Sequence, residues 1–188
     1  MKIMQFSVSR DDQRLLLRYA RDLLRSRLSF KALPPAPKLA TNLRCGAFVT
    51  LKERGELRGC IGRMRGDETI EATVAEMAWA AASEDPRFSP VRAEELGSLE
   101  IEITLLSPLE PIAPEAVEIG KHGLLISAHG RSGVLLPQVP VEYGWNREEF
   151  LEHLCAKAGL PSMTWASPSA TLYGFEGSVF SESSVMNI

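Results

Sequence analysis

The spacing of apolar and polar residues predicts that the chain opens with an amphipathic helix. Apolar side chains recur at helical spacing from Leu15 to Leu24, and arginines occupy much of the remaining surface. Ser9 is a good N-cap, and Asp11 and Asp12 follow it in the first turn, where the helix dipole favours anions. We therefore expect a helix that begins near Ser9 and turns an arginine-rich face to solvent.

Shorter apolar runs separated by tight turns predict strands. Six segments have the length and patterning of strands: residues 47–51, 56–61, 99–105, one on each side of the turn 128–132, and 171–180. The first two read as a hairpin around Arg54 and Gly55. Residues 99–105 alternate between apolar and polar side chains, which is typical of a half-buried strand.

The remaining patterned segments are helical or extended. Residues 68–83 predict an alanine-rich helix, and Asn146 and Glu149 have the spacing of a capping box for a helix that ends at Gly159. Three prolines make residues 34–41 an extended connector. This order of elements does not alternate regularly between strand and helix. It favours an α+β fold with a mainly antiparallel sheet and flanking helices over a doubly wound sheet.

Length and charge narrow the class of protein. The chain has 188 residues, which fits one domain, or one domain with a small subdomain. A net charge of −3 gives no overall attraction to nucleic acid or anionic lipid, so we expect neither as a partner. No apolar run approaches the roughly 20 residues that span a membrane. The N-terminal stretch also lacks the apolar core of a signal peptide, so we expect a cytoplasmic protein.

Cysteine and histidine usage gives no metal motif. Three cysteines are too few and too scattered for a disulfide framework, and none form a CxxC pair. We expect these thiols to be reduced in the cytoplasm. None of the three histidines belongs to a metal-binding motif, so no metal site is predicted, and the sequence does not identify a cofactor.

The first candidate site is the LRGCIG segment, residues 57–62, which places a thiol between two glycines and beside a cation. Gly59 and Gly62 allow close approach of another backbone or a ligand and permit a β-bulge. Arg58 could bind an anionic ligand or lower the pKa of Cys60, and the second role requires a bulge or loop because adjacent strand residues point to opposite faces. The alternative is a small buried cysteine in a tightly packed strand, which the local pattern alone slightly favours.

The second candidate is the DPRF turn, residues 85–88, directly after the alanine-rich helix. Pro86 ends the helix and fixes the turn, so Asp85 and Arg87 project near one another. The favoured interpretation is a rigid turn with an ion pair. The alternative is that Asp85 or Arg87 presents its charge to a ligand in a cleft.

Two further segments contain polar candidates. His122, in the GKHG sequence at residues 120–123, is the best acid or base because its intrinsic pKa lies near neutrality. Paired with Cys60, it would give a thiolate nucleophile and its base, although sequence cannot show contact between them. Gln138, in the LLPQV sequence at residues 135–139, could offer a donor and an acceptor to a ligand. That segment could equally be a strand that ends against the core.

Taken in order, these segments resemble the AMMECR-type domain, named from the AMME chromosomal region. The matching blocks are GAFVTLK at 46–52, LRGCIG at 57–62, DPRF at 85–88, GKHGL at 120–124, LLPQV at 135–139 and KAGLP at 157–161. The resemblance implies one compact α+β domain over residues 1–188, with two unequal subdomains and a cleft near LRGCIG. Prokaryotic members are similar to the first component of the AmmeMemoRadiSam system, beside a Memo-type protein and a radical SAM protein.

Two functions remain open at this point. One is an enzyme or substrate-modifying component, with Cys60 and His122 as catalytic candidates. The other is a non-catalytic binding or adaptor domain that holds a small molecule or docks a Memo-type or radical SAM partner. The ligand-binding candidates in either case are Arg58, Gly59, Gly62, Asp85, Arg87 and Gln138.

Overall fold

The structure, a computed structural model, describes Phe6 and residues 8–186 and has an α+β fold, as the sequence predicts. Its helices are α1 (Arg10–Leu28), α2 (Ile70–Ser83), α3 (Val139–Tyr143), α4 (Arg147–Lys157) and α5 (Glu182–Met186). Its strands are β1 (Gly46–Glu53), β2 (Glu56–Arg63), β3 (Leu99–Leu106), β4 (Glu110–Pro111), β5 (His122–Ala128), β6 (Arg131–Leu135) and β7 (Thr171–Ser181). Most of the N-terminal stretch in which no signal peptide is predicted lies outside the described residues.

The contacts divide the chain into two compact units of unequal size. The smaller is built mainly from Ser107–Gly177, and the larger from the residues before it together with the C-terminal segment from Ser178. The expectation of a single domain over residues 1–188 stays a prediction.

The larger unit contains an antiparallel sheet in the order β2-β1-β3. Helix α2 packs against β1 and β2, and α1 packs against α2 and β3. Apolar side chains at alternate positions of β1 and β3, such as Val49, Leu51 and Ile101, are fully buried. Residues between them, such as Thr50 and Glu102, lie on the opposite, half-buried face. The sheet therefore has one face closed by helices and one face with polar side chains.

The beginning of α1 is as predicted, but its outer face is not entirely solvated. The Ser9 side chain accepts a hydrogen bond from the N–H of Asp12. The buried carboxylate of Asp12 accepts one from the N–H of Ala40 at 2.8 Å, which attaches the extended connector to α1. Arg21 makes a two-pronged ion pair with Glu182 and donates to two backbone carbonyls. This arginine therefore attaches α5 to α1.

The smaller unit contains the antiparallel strands β6-β5-β7, with β4 paired to β7. Its core lies between these strands and α4, where Phe150, Leu154 and Cys155 are fully buried. The predicted capping box is present: Asn146 accepts the N–H of Glu149, and Glu149 accepts the N–H of Asn146.

None of the helices in the described part of the chain has the length and apolar character needed to cross a membrane. Across the same residues, no three His, Cys, Asp or Glu side chains are grouped so that they could hold a metal ion. All three cysteines are free thiols.

Candidate functional site

A β-bulge in the first hairpin decides which face of the sheet carries Cys60. The turn at Arg54 and Gly55 has positive φ at both residues (52° and 84°), which suits a two-residue hairpin. Next to this turn, Lys52 of β1 lies opposite Leu57 of β2. Beyond the bulge the pairing is shifted by one residue, so that Thr50 lies opposite Cys60. Without the bulge Cys60 would be opposite Val49 and would face the helices. The bulge therefore moves the thiol to the open face.

The thiol of Cys60 has a polar neighbour and is half-buried. The Thr50 hydroxyl donates to Cys60 Sγ at 3.2 Å, because the two residues are a cross-strand pair. Cys45 and Cys155, by contrast, are buried. Burial raises the pKa of Cys45 to about 11 and also raises the pKa of Cys155. Cys60 is therefore the most accessible of the three thiols.

Asp85 joins the DPRF turn to the free edge of β2. Its Oδ2 accepts the backbone N–H of Cys60 at 2.8 Å and Nη2 of Arg87 at 2.7 Å. Its Oδ1 accepts the backbone N–H of Arg87 at 3.1 Å and Nε at 2.9 Å. These four bonds use the acceptor positions of the carboxylate, and none is left for a metal or a ligand. The predicted ion pair is thus present, and it also closes the edge of a strand.

Electrostatics keep this pair ionised. The Arg87 guanidinium, followed by the backbone donors of Cys60 and Arg87, holds the pKa of Asp85 well below its usual range, although burial opposes the shift. The same pair raises the pKa of Arg87. Arg87 also donates from Nη2 to the carbonyl of Cys60 at 3.3 Å, so both backbone groups of Cys60 are satisfied by the turn.

Arg87 remains open to solvent although Asp85 does not. The Asp85 side chain is 2% exposed and that of Arg87 is 54% exposed. Nη1 of Arg87 makes no hydrogen bond to any described residue. A guanidinium that is held through Nε and Nη2 can still bind a carboxylate or phosphate through the two N–H groups of Nη1.

Arg58 is held inside the protein instead. Its Nε and Nη2 pair with the two oxygens of Glu95 at 2.9 and 3.3 Å, its Nη1 donates to the carbonyl of Ser89 at 3.0 Å, and its side chain is 14% exposed. The contact with Arg58 is the largest cause of the lowered pKa of Glu95. Phe88 lies against both arginines, with guanidinium carbons 6.0 and 5.6 Å from the ring centroid. Arg58 thus orders the loop after the DPRF turn.

The two glycines of the segment are required by packing. A Cβ at Gly59 would overlap the carbonyl oxygen of Ala81 in α2, and a Cβ at Gly62 would overlap the ring of Phe48. The close approach predicted for these positions is therefore made by the protein's own backbone and side chain.

His122 and Gln138 lie in the smaller unit. Nδ1 of His122 accepts the backbone N–H of Glu118 at 3.0 Å, which assigns the proton of the neutral ring to Nε2. Burial and Lys121 lower the pKa of His122. Gln138 is the N-cap of α3, and its side chain forms no hydrogen bond to a described residue. The pairing of Cys60 with His122 stays a prediction.

Sequence reasoning missed Thr50 and Glu95 as neighbours of the site. A residue-by-residue reading of the hairpin from its turn places Thr50 opposite Gly59, and only the bulge brings it opposite Cys60. Glu95 lies 37 positions from Arg58, beyond any local pattern. The glycine inside the strand was the available signal of a bulge.

Comparison with known proteins identifies the family of this chain and a solved structure of the same fold. The sequence model of the AMMECR1 family matches residues 17–180, and the chain belongs to this family. A protein of Methanopyrus kandleri is 46% identical over 159 residues, covering 79% of this chain and 76% of that protein. One of Aquifex aeolicus is 44% identical over 158 residues, covering 80% and 81%. A crystal structure of Pyrococcus horikoshii PH0010 superimposes with a TM-score of 0.84 at 34% identity and covers 97% of each chain.

Proposed function

We propose that the LRGCIG segment and the DPRF turn form the ligand-binding site of this AMMECR1-family protein, and that the ligand carries a carboxylate or phosphate. The observation that carries the proposal is the contrast within one ion pair, in which a buried Asp85 holds an Arg87 that is 54% exposed. Protein groups saturate the carboxylate but leave Nη1 of the guanidinium without a partner among the described residues. Asp85 therefore holds the Arg87 guanidinium in a fixed position, with Nη1 available to an anionic group of a ligand.

Cys60 and its neighbours supply the rest of the site. Cys60 is bonded to the same turn through its backbone, and its thiol lies on the open face of the sheet with the Thr50 hydroxyl. Glu102 follows in the same cross-strand row, opposite Thr50, and pairs with Lys52 at 2.8 Å. A ligand anchored by Arg87 would therefore meet a thiol, a hydroxyl and an ion pair.

The wider role we propose is that of a ligand-binding component of a cytoplasmic AmmeMemoRadiSam system. Support comes from the ordered motif blocks that resemble such proteins. In this role the chain would hold a small molecule while a Memo-type or radical SAM partner acts on it. Loss of co-purification with either partner on substitution of Arg87, but not on Cys60→Ser, would favour an adaptor role without catalysis.

A catalytic role is the second candidate, and the Thr50–Cys60 contact favours it. A hydroxyl that donates to sulfur stabilises the negative charge of a thiolate, which is the nucleophilic form of cysteine. The neutral His122 ring that accepts the N–H of Glu118 at Nδ1 carries its proton on Nε2, so this form has no free ring nitrogen to act as a base. Catalysis therefore requires the other tautomer or another base.

Alkylation of the native protein by iodoacetamide tests the site. We expect Cys60 to react at neutral pH while Cys45 and Cys155, which are buried, react only after denaturation. Inorganic phosphate or citrate should slow the reaction relative to chloride at equal ionic strength. Mass spectrometry of the digested protein measures each thiol separately.

The matched variants are Arg87→Lys and Arg65→Lys. Lysine at position 87 can still pair with Asp85 but lacks the free donors that Nη1 of arginine supplies, so protection by phosphate or citrate should be lost. Arg65 is exposed and makes no ion pair with a described residue, so its substitution should leave protection unchanged. A Cys60 that reacts only in denaturant, or protection that survives Arg87→Lys, would contradict the proposed site.

A further inference from the structure

An exposed aromatic cluster lies at the beginning of α4 in the smaller unit. The ring of Trp145 stacks on that of His153, with centroids 3.8 Å apart and planes inclined by 10°. It also stacks with Tyr143 at 4.9 Å and 17°. Tyr143 is 69% exposed, so much of its ring is accessible to a partner. Trp145 packs against the core of this unit and is partly buried, whereas Tyr143 and His153 are exposed, and the proposed ligand site uses none of the three rings.

Two more large apolar side chains are exposed in the segments next to this cluster. Val141, in the same short helix as Tyr143, is 58% exposed and lies beside Gly120, and Ile119 is 38% exposed. We call the side chains of Ile119, Val141, Tyr143, Trp145 and His153 the aromatic patch. Exposed apolar surface that is concentrated in one region of a protein often marks an interaction site.

The charges around the aromatic patch are mainly negative. Exposed carboxylates lie within or next to its segments: Glu142, Glu148, Glu149 and Glu152. The nearby cations are partly engaged, because Arg147 donates to the carbonyl of Val117 at 3.0 Å and Lys121 pairs with Glu118 at 3.1 Å. Aromatic faces with carboxylates beside them complement a guanidinium, which stacks on a ring while its N–H groups bind the acid.

We propose that the aromatic patch docks an arginine-bearing segment of a partner protein. A protein segment fits better than a free organic cation, because it can also cover the exposed side chains of Val141 and Ile119. Arginine fits better than lysine, because a planar guanidinium can stack and donate at once. The inference rests on the proposed function only for the idea that this chain works with other proteins, and it does not involve Cys60 or Arg87.

The test uses labelled ten-residue peptides of glycine and serine that carry two arginines, two lysines or two citrullines. Fluorescence anisotropy with the full chain measures binding, and the NMR signal of the Trp145 indole locates it. We expect the arginine peptide to bind about fivefold or more tightly than the citrulline peptide. Tyr143→Ala and Glu142→Gln should each weaken binding of the arginine peptide, whereas Glu94→Gln, an exposed carboxylate of the larger unit, should not.

Four results would overturn the proposal. These are equal binding of the arginine and citrulline peptides, unchanged binding after Tyr143→Ala, competition by arginine amide at the same concentration of guanidinium, and self-association that Tyr143→Ala abolishes. The third would indicate a site for a small cation, and the fourth a contact between two copies of this chain. Cys60 alkylation on the same samples reports separately on the proposed ligand site.

Discussion

The carboxylate of Asp85 accepts a hydrogen bond from the backbone N–H of Cys60 at 2.8 Å, although the two residues are 25 positions apart. This bond, with the one from Arg87 to the carbonyl of Cys60, satisfies the outer edge of β2 where no further strand pairs with it among the described residues. An unpaired edge normally invites contact with other chains. Here a charged turn satisfies the edge at Cys60 and at the same time holds the Arg87 guanidinium against the backbone of that residue.

The first prediction concerns stability. Asp85→Asn replaces the two anionic oxygens by one neutral oxygen, which accepts, and one NH₂ group, which can only donate. At least one donor of Arg87 or Cys60 is then left without an acceptor. Because the carboxylate is buried, we expect the free energy of unfolding to fall by about 2–3 kcal/mol. Urea denaturation at pH 7 measures this difference.

Asp11→Asn is the matched control for that substitution. Asp11 also pairs with an arginine, Arg14, but its side chain is 88% exposed and the contact is 3.4 Å long. An exposed pair of this kind contributes little, and loss of the favourable contact with the helix dipole adds to it, so the change should stay within about 1 kcal/mol. Equal effects of the two substitutions would show that Asp85 is not a structural anchor.

The second prediction follows from the lowered pKa of Asp85. The ordinary value for this carboxyl is 3.8, and the folded protein holds its pKa below that value, so folding favours the ionised form. The stabilisation is fully present above the unfolded pKa and is lost as pH falls through the folded one. The difference in unfolding free energy between the wild type and Asp85→Asn should therefore shrink as pH is lowered from about 5 to 2. A difference that stays constant over this range would contradict the assignment.

Features set by neighbouring residues were predictable from the sequence. Ser9 caps α1 through an N–H three residues away, and Asn146 and Glu149 cap α4 in the same way. The Arg54–Gly55 turn needs positive φ, which glycine adopts readily, so its pattern indicated the hairpin. The Asp85–Arg87 pair was also predictable, because a proline between them fixes the turn.

Features that depend on register or on distant contacts were not predictable. A shift of one residue in a strand reverses its faces, so the location of Cys60 depended on a bulge that the sequence permits but does not require. The sequence predicts that Arg58 binds an anionic ligand. In the structure its N–H groups bind Glu95 and the carbonyl of Ser89, which lie on a later segment. The stack of His153 on Trp145 depends on the loop before α4, which no local sequence pattern specifies.

The third prediction tests the packing role of Gly59. Gly59→Ala would place a methyl group against the carbonyl oxygen of Ala81, so α2 and β2 must separate or the strand must shift. Overpacking of this kind typically costs about 1–3 kcal/mol, and we expect the upper half of that range because the clash is with backbone. Thermal and urea denaturation measure the loss.

Gly97→Ala provides the comparison for Gly59. A Cβ at Gly97 meets no atom within 4 Å, and its backbone does not need the left-handed region. Its substitution should change the free energy of unfolding by no more than about 0.5 kcal/mol. If Gly59→Ala is equally mild, the close contact with α2 is not what requires glycine there, and space for a ligand becomes the better explanation.

The fourth prediction separates a reactive thiol from a packed one. Thr50→Val keeps the shape of the side chain but removes the hydroxyl that donates to Cys60 Sγ at 3.2 Å. If that bond stabilises the thiolate, alkylation of Cys60 by iodoacetamide at pH 7 should slow by about three- to tenfold, the range for one modest hydrogen bond. The rate in urea should be the same for both proteins, because the contact is absent in the unfolded chain. An unchanged native rate would mean that Thr50 only packs against the sulfur, and the catalytic role of Cys60 would lose the contact that favours it.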